Sequence, residues 1–199
     1  MSNLEKFASM MEVYLKRKGY TENLVSNISD TSFSSEAKAS LCNSSMIVID
    51  MNRFAKRGYR RIILPLCQTE ADSINTADAF MINKDNEWYF VEFKDAKVGN
   101  SKHSILKKVY SNVYAVLDVL YEMKEQEEAY LQFAYENSID FIHKHVTNIL
   151  VFSGAKNLQD AKQMLNFKLI KGKYLLEFMK RLQGYIYKEA YAVNEGEFE

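Results

Sequence analysis

A chain of 199 residues, 47% hydrophobic and 26% charged, is long enough for one domain with a sizeable core and short for two. Its 26 basic and 26 acidic side chains cancel, which disfavours a protein that coats nucleic acid indiscriminately, and one proline and seven glycines argue against disordered linkers. No apolar run approaches the roughly 20 residues that span a bilayer; with no secretory layout at Met1–Lys6 and no paired spacing of Cys42 and Cys67, a cytoplasmic protein with reduced thiols and no membrane contact is expected.

In chain order, Leu4, Phe7, Met10, Met11, Val13 and Tyr14 keep a helical period and Gly19 supplies a stop, so residues 3–19 read as a helix. Asn27 to Ser35 is polar and reads as a loop. A second helix is expected from about Ser34 to Gly58, with Glu36 in its first turn and Leu41, Met46, Ile47, Ile49 and Phe54 as its apolar faces. Arg60 to Cys67 reads as a strand that Pro65 confines to an edge or an end. Two apolar, aromatic runs then flank Lys84-Asp85-Asn86-Glu87, the pattern of a β-hairpin. Val98-Gly99-Asn100-Ser101 breaks the second strand, and Ile105, Val109, Val113, Val116 and Leu120 continue as a long helix. The acidic stretch to Lys144 reads as helical. Val146 to Gly154 is apolar on both faces, as a central strand is. Two more helices are expected over 157–167 and 173–191.

The hairpin carries the chemistry. Side chains alternate along a strand, so Asp78, Phe80 and Ile82 share one side of the first strand, and Trp88, Phe90, Glu92 and Lys94 one side of the second. A tight turn brings Asp78 level with Glu92, within a residue. Two carboxylates and an ammonium then converge at the open end of an otherwise apolar hairpin. Clustered carboxylates repel and resist desolvation, and a divalent cation resolves that conflict.

Ala77-Asp78 followed after a hairpin by Glu92-Phe93-Lys94 resembles the signature of the PD-(D/E)XK nuclease superfamily, the restriction-endonuclease-like fold, with alanine where the family has proline. The order helix, three strands, helix, strand over residues 34–154 is similar to that family's αβββαβ core. The resemblance implies an α/β fold with a mixed four-stranded sheet over about residues 34–154, and the helices read at 3–19 and 157–191 are additions to it within one domain over 1–199. It also implies Asp78 and Glu92 as ligands of Mg2+ or Mn2+, the Phe93 carbonyl as a third ligand, and Lys94 positioning the attacking water. The plain alternative for Glu92 and Lys94 is a solvent-facing pair at a sheet edge.

Other residues are softer candidates. Glu36 resembles an acid that many family members carry before the first strand, although an acid in a first helical turn is favourable in itself. Glu70 and Asp72 lie in the loop before the hairpin, and Asp72 rivals Asp78 as the motif's aspartate. Lys107 and Lys108 are placed where family members face the phosphate backbone, or else snorkel at the edge of the apolar stripe. His103 is a cleft-lining candidate; His143 and His145 make no metal set with a cysteine. Arg53, Lys56, Arg57, Arg60 and Arg61 form one basic run, Lys168 to Lys188 another, and Asp118 to Asp140 an acidic one; they make either a phosphate groove with an acidic back or solvated helix faces. The expected function is a magnesium-dependent nuclease acting on DNA, or alternatively RNA. A homodimer is the assembly that double-strand cutting would call for. The competing expectation is a non-catalytic binding or assembly subunit on the same fold.

Overall fold

A computed structural model describes residues 1–59, 74–123, 134, 136–157 and 172–198. Helix α1 (Asn3–Arg17) opens with a capping box, in which the Ser2 hydroxyl accepts from the Glu5 N–H and the Glu5 carboxylate accepts from the Ser2 N–H. Its apolar stripe, Leu4, Phe7, Met11, Tyr14 and Leu15, is buried. Strand β1 (Val25–Asn27) and the single turn α2 (Ile28–Thr31) follow, then a two-stranded ribbon of β2 (Phe33–Ser34) and β3 (Ala39–Ser40).

Strand β4 (Ile47–Asp50) leads into α3 (Met51–Arg53), which continues as a π-helix over Phe54–Tyr59. The helix expected over 34–58 is therefore replaced by a ribbon, a strand and this short helical segment. The helical spacing lapses between Leu41 and Met46, where no apolar side chain other than Cys42 intervenes. The β-branched run Ile47-Val48-Ile49 favours a strand, and the ribbon turns at Lys38 with φ +52. The strand expected over 60–67, with Cys67, Glu70 and Asp72, lies outside the described residues.

The expected hairpin is formed by β5 (Ala79–Ile82) and β6 (Trp88–Lys94), paired Phe80 to Phe90 and Ile82 to Trp88. At its turn the Asn83 side chain accepts from the Asp85 and Glu87 N–H groups, and Asn86 takes φ +59. Helix α4 (Val98–Met123) begins three residues before Ser101 and crosses back to β7 (Val146–Phe152), preceded by α5 (Ser138–His145). All seven residues of β7 are buried, as expected of a central strand.

The second correction falls at the C-terminus. Of the helix expected over 173–191 only α6 (Glu177–Lys180) is present, followed by β8 (Glu189–Asn194) and the turn α7 (Glu195–Phe198). Gly184 at φ +72 stops any helix there, and Ala190 and Ala192 turn one small-residue face inward. The helix expected over 157–167 falls almost wholly outside the described residues.

The result is a mixed α/β fold whose main sheet has, among the described residues, six strands rather than four, in the order β1-β4-β5-β6-β7-β8. The first four strands run antiparallel to their neighbours; β6, β7 and β8 are parallel. On one face α1, α4 and α5 bury an aromatic cluster in which Phe7, Phe80, Trp88, Phe90 and Phe141 lie in ring contact. The other face carries a smaller cluster around Val48, Val91, Phe93, Ile149 and Val151. A one-residue slip of β5 against β6 would exchange these faces, so the aromatic cluster also fixes which residues meet at the hairpin's open end. No helix among the described residues is long and apolar enough to cross a membrane.

Candidate functional site

At that open end the ladder places Asp78 opposite Glu92. The last pair before it is Ala79 to Val91, and the Asp78 N–H donates to the Val91 carbonyl at 3.0 Å. Thr76 and Asp78 are tied to α3: the Thr76 hydroxyl donates to the Met51 carbonyl, and the Met51 N–H donates to the Asp78 carbonyl. From α4, the buried Asn112 carboxamide oxygen accepts the Ala77 N–H at 2.6 Å. Three elements thus hold the start of β5.

Both oxygens of Asp78 are oriented. Asn52 donates to Oδ1 at 2.7 Å, and the Phe93 N–H donates to Oδ2 at 2.8 Å. In a strand a residue's N–H and C=O face the same edge, so the Phe93 carbonyl also opens beside Asp78, past the end of β5.

Glu92 is buried, at 2% exposure. Lys108 reaches from α4 and places its ammonium 2.9 and 2.7 Å from the two Glu92 oxygens and 3.4 Å from Asp78 Oδ1. Lys94 approaches Glu92 Oε1 at 2.5 Å from the same strand. Burial pushes the Glu92 carboxyl up to about 7, the neighbouring Asp78 charge adds to this, and the two ammonium groups oppose it. Burial alone would lower Lys108, yet the Asp78 and Glu92 charges outweigh it and hold the ammonium above its ordinary value.

The structure therefore brings Asp78, Glu92, Lys94 and Lys108 together, with the Phe93 backbone beside them. Lys108, expected at the phosphate backbone, instead points into the carboxylate pair and is only 12% exposed. It lies one turn before Asn112 along the inward stripe of Ile105 and Val109, and the buried carboxylates draw it in. Lys107 and His103 sit on the exposed side of the same helix. Glu36 is exposed in the β2–β3 turn rather than in a helix, although it borders the cleft described below. His143 contacts the Tyr185 carbonyl, and His145 pairs with Glu87 at 3.0 Å.

Two positions that hold the start of β5 are not legible in the sequence. Asn112 carries a signal in hindsight, an amide inside the apolar stripe of a long helix. Asn52 carries none, because its partner lies 26 positions away.

A cavity of about 340 Å³ opens onto this cluster, bounded by Asn52, Asp78, Phe93, Lys94 and Asp95 on one side and the β2–β3 ribbon on the other. Phe33, at 56% exposure, stands on its wall. Among the described residues no group of three or more His, Cys, Asp or Glu is placed to hold a metal ion. The cluster supplies two carboxylates, and both already face one cationic atom, Lys108 Nζ. That arrangement fits a hard, oxygen-seeking ion such as magnesium, which keeps several waters and uses one or two carboxylates. Comparisons with models of known families, with curated proteins and with solved structures found no match.

Proposed function

We propose that this protein is a metal-dependent phosphodiesterase of the restriction-endonuclease-like kind, acting on DNA or RNA. The observation that carries the reading is the convergence of Asp78 and Glu92 on a single cationic point behind a polar cleft that Asp78 and Lys94 line. Asp78 and Glu92 would hold Mg2+ or Mn2+, with the Phe93 carbonyl beside them. When bound, such an ion lowers the pKa of water and neutralises charge on the phosphate.

The chain's own residues supply the rest. Asn52 and the Phe93 N–H hold the Asp78 carboxylate in one orientation, so little reorganisation is needed when charge develops. Lys94, part-exposed at the cleft, donates to the attacking water and offsets charge on the pentavalent phosphorus. The β2–β3 ribbon narrows the opening. The β4-β5-β6-α4-β7 portion of the sheet supports the family reading, with β4 in the place expected of residues 60–67.

One observation favours a second reading, a non-catalytic binding subunit. Lys94 and Lys108 balance Asp78 and Glu92 charge for charge, so the cluster is satisfied without a metal. A single set of experiments separates the two: plasmid, linear duplex, single-stranded DNA and RNA incubated with Mg2+ or Mn2+, beside thermal melts in Mn2+. Under the nuclease reading the protein cleaves at least one substrate and melts higher in Mn2+, and Asp78→Asn loses both. Lys108→Met, which removes the competing ammonium, increases the Mn2+ gain. No cleavage, with melting indifferent to Mn2+ in both wild type and Lys108→Met, overturns the nuclease reading, and tight binding to a cellular protein would then favour the second.

A further inference from the structure

We propose that a nucleic-acid strand leaving the Asp78–Glu92 cleft passes over a cationic shelf of Arg53, Lys56 and Arg57, which binds its phosphates without regard to sequence. This rests on the nuclease reading and adds to it a path for the substrate.

A second cavity, of about 220 Å³, is lined by Asp50, Asn52, Arg53, Lys56 and Arg57. Asn52 borders both cavities and donates to Asp78, so a single residue separates the shelf from the carboxylate pair. The local fold explains why these cations gather. In the π-helix Phe54, Ala55, Gly58 and Tyr59 turn inward, which leaves Lys56 and Arg57 outside. Gly58 permits the close approach: a Cβ there would lie 2.6 Å from a Leu15 methyl of α1.

The acid that lines this cavity is already engaged. Asp50 accepts the Arg53 N–H at 2.7 Å and faces the Arg53 guanidinium at 3.4 Å, while the other end of that guanidinium donates to the Asn23 carbonyl. Arg53 is thereby fixed as a rigid anchor. Lys56 is exposed and makes no ion pair with any described acid. Arg57 is 61% exposed and lies 3.9 Å from Glu22, long for a charge-assisted bond. In the other basic run Lys173, Lys180 and Lys188 pair with Glu189, Glu177 and Glu87, and of its described cations only Arg181 lacks an ion pair with a described acid. A positive surface with available guanidinium and ammonium groups, continuous with a cleft bearing carboxylates, suits a chain of phosphodiesters better than one small anion.

The test measures binding apart from cleavage. Fluorescence anisotropy of a labelled single strand and a duplex of about 20 nucleotides, in EDTA, is followed between 50 mM and 200 mM salt. Lys56→Gln/Arg57→Gln is expected to lower the slope of log K against log salt by about 2, so the wild type's advantage shrinks roughly tenfold over that range. Lys56→Glu weakens binding more than Lys56→Gln. Lys84→Gln, at the hairpin tip, leaves the slope unchanged. An unchanged slope and affinity in the double variant, or an equal loss in Lys84→Gln, overturns the shelf. If the wild type still cleaves nucleic acid in magnesium, that failure leaves the nuclease reading standing. A wild type that binds neither oligonucleotide and cleaves nothing overturns both.

Discussion

Glu92 bears a conflict that its two ammonium neighbours oppose, because its carboxylate sits out of water beside a second carboxylate. Its ordinary pKa of 4.5 rises to about 7 in the fold. Between those two values the native protein holds a proton that the unfolded chain has released, so raising the pH favours unfolding. The stabilisation is complete below 4.5 and is lost as the pH climbs through 7, by roughly 3 kcal/mol over the window. Urea unfolding across that window should therefore show stability falling with pH, and Glu92→Gln should flatten the slope; a wild type without the slope would mean that Glu92 is ionised throughout. The three motif residues were legible because strand alternation aligns them within one local hairpin. The inward aim of Lys108 was not, since it depends on carboxylates 16 and 30 positions away that only the folded chain brings near.

The hairpin delivers Asp78 to Glu92 only while its first residues stay anchored, and α4 does part of that anchoring through Asn112. Removing this carboxamide leaves the Ala77 N–H buried without an acceptor, a loss of about 1–3 kcal/mol. Asn112→Ala should lower stability by that amount and, on the nuclease reading, also reduce the Mn2+ melting gain, since Asp78 is no longer held level with Glu92. A variant that loses stability and keeps the full gain would show that α3 and the ladder suffice. Elements with strong local patterns, α1, the hairpin, α4 and β7, could be read from the sequence because period and turn chemistry agree there. Residues 34–58 and 173–191 misled because scattered aliphatic and aromatic residues suggest a helix until their spacing is tested. Val48 and Ile49 are wholly buried on opposite faces of β4, a pattern that belongs to a strand packed on both sides.

At the scale of the whole molecule, β8 closes the parallel side of the sheet and makes β7 a central strand. Its ladder runs from Thr147 paired with Glu189 to Phe152 paired with Asn194. The preceding Tyr187 hydroxyl donates to the Val109 carbonyl of α4 at 2.6 Å, which fastens this segment to the helix that carries Lys108 and Asn112. Deleting 189–198 strips that ladder and leaves a fully buried strand with an open apolar edge, which templates association. It also uncovers Ala190's and Ala192's packing partners, and a domain of this size has only roughly 5–15 kcal/mol of stability to lose. The truncated chain should bind a hydrophobic dye and elute as aggregate in size-exclusion chromatography. Deleting 195–198 alone removes the Glu195 carboxylate that accepts the Gly154 N–H and the Phe198 ring that meets Phe93 at 5.8 Å. That shorter deletion keeps the ladder, so it should elute where the wild type does, with a lower melting temperature. If the longer deletion also elutes where the wild type does and melts cooperatively, the fold closes at β7, and the five strands β1-β4-β5-β6-β7 are the stable unit.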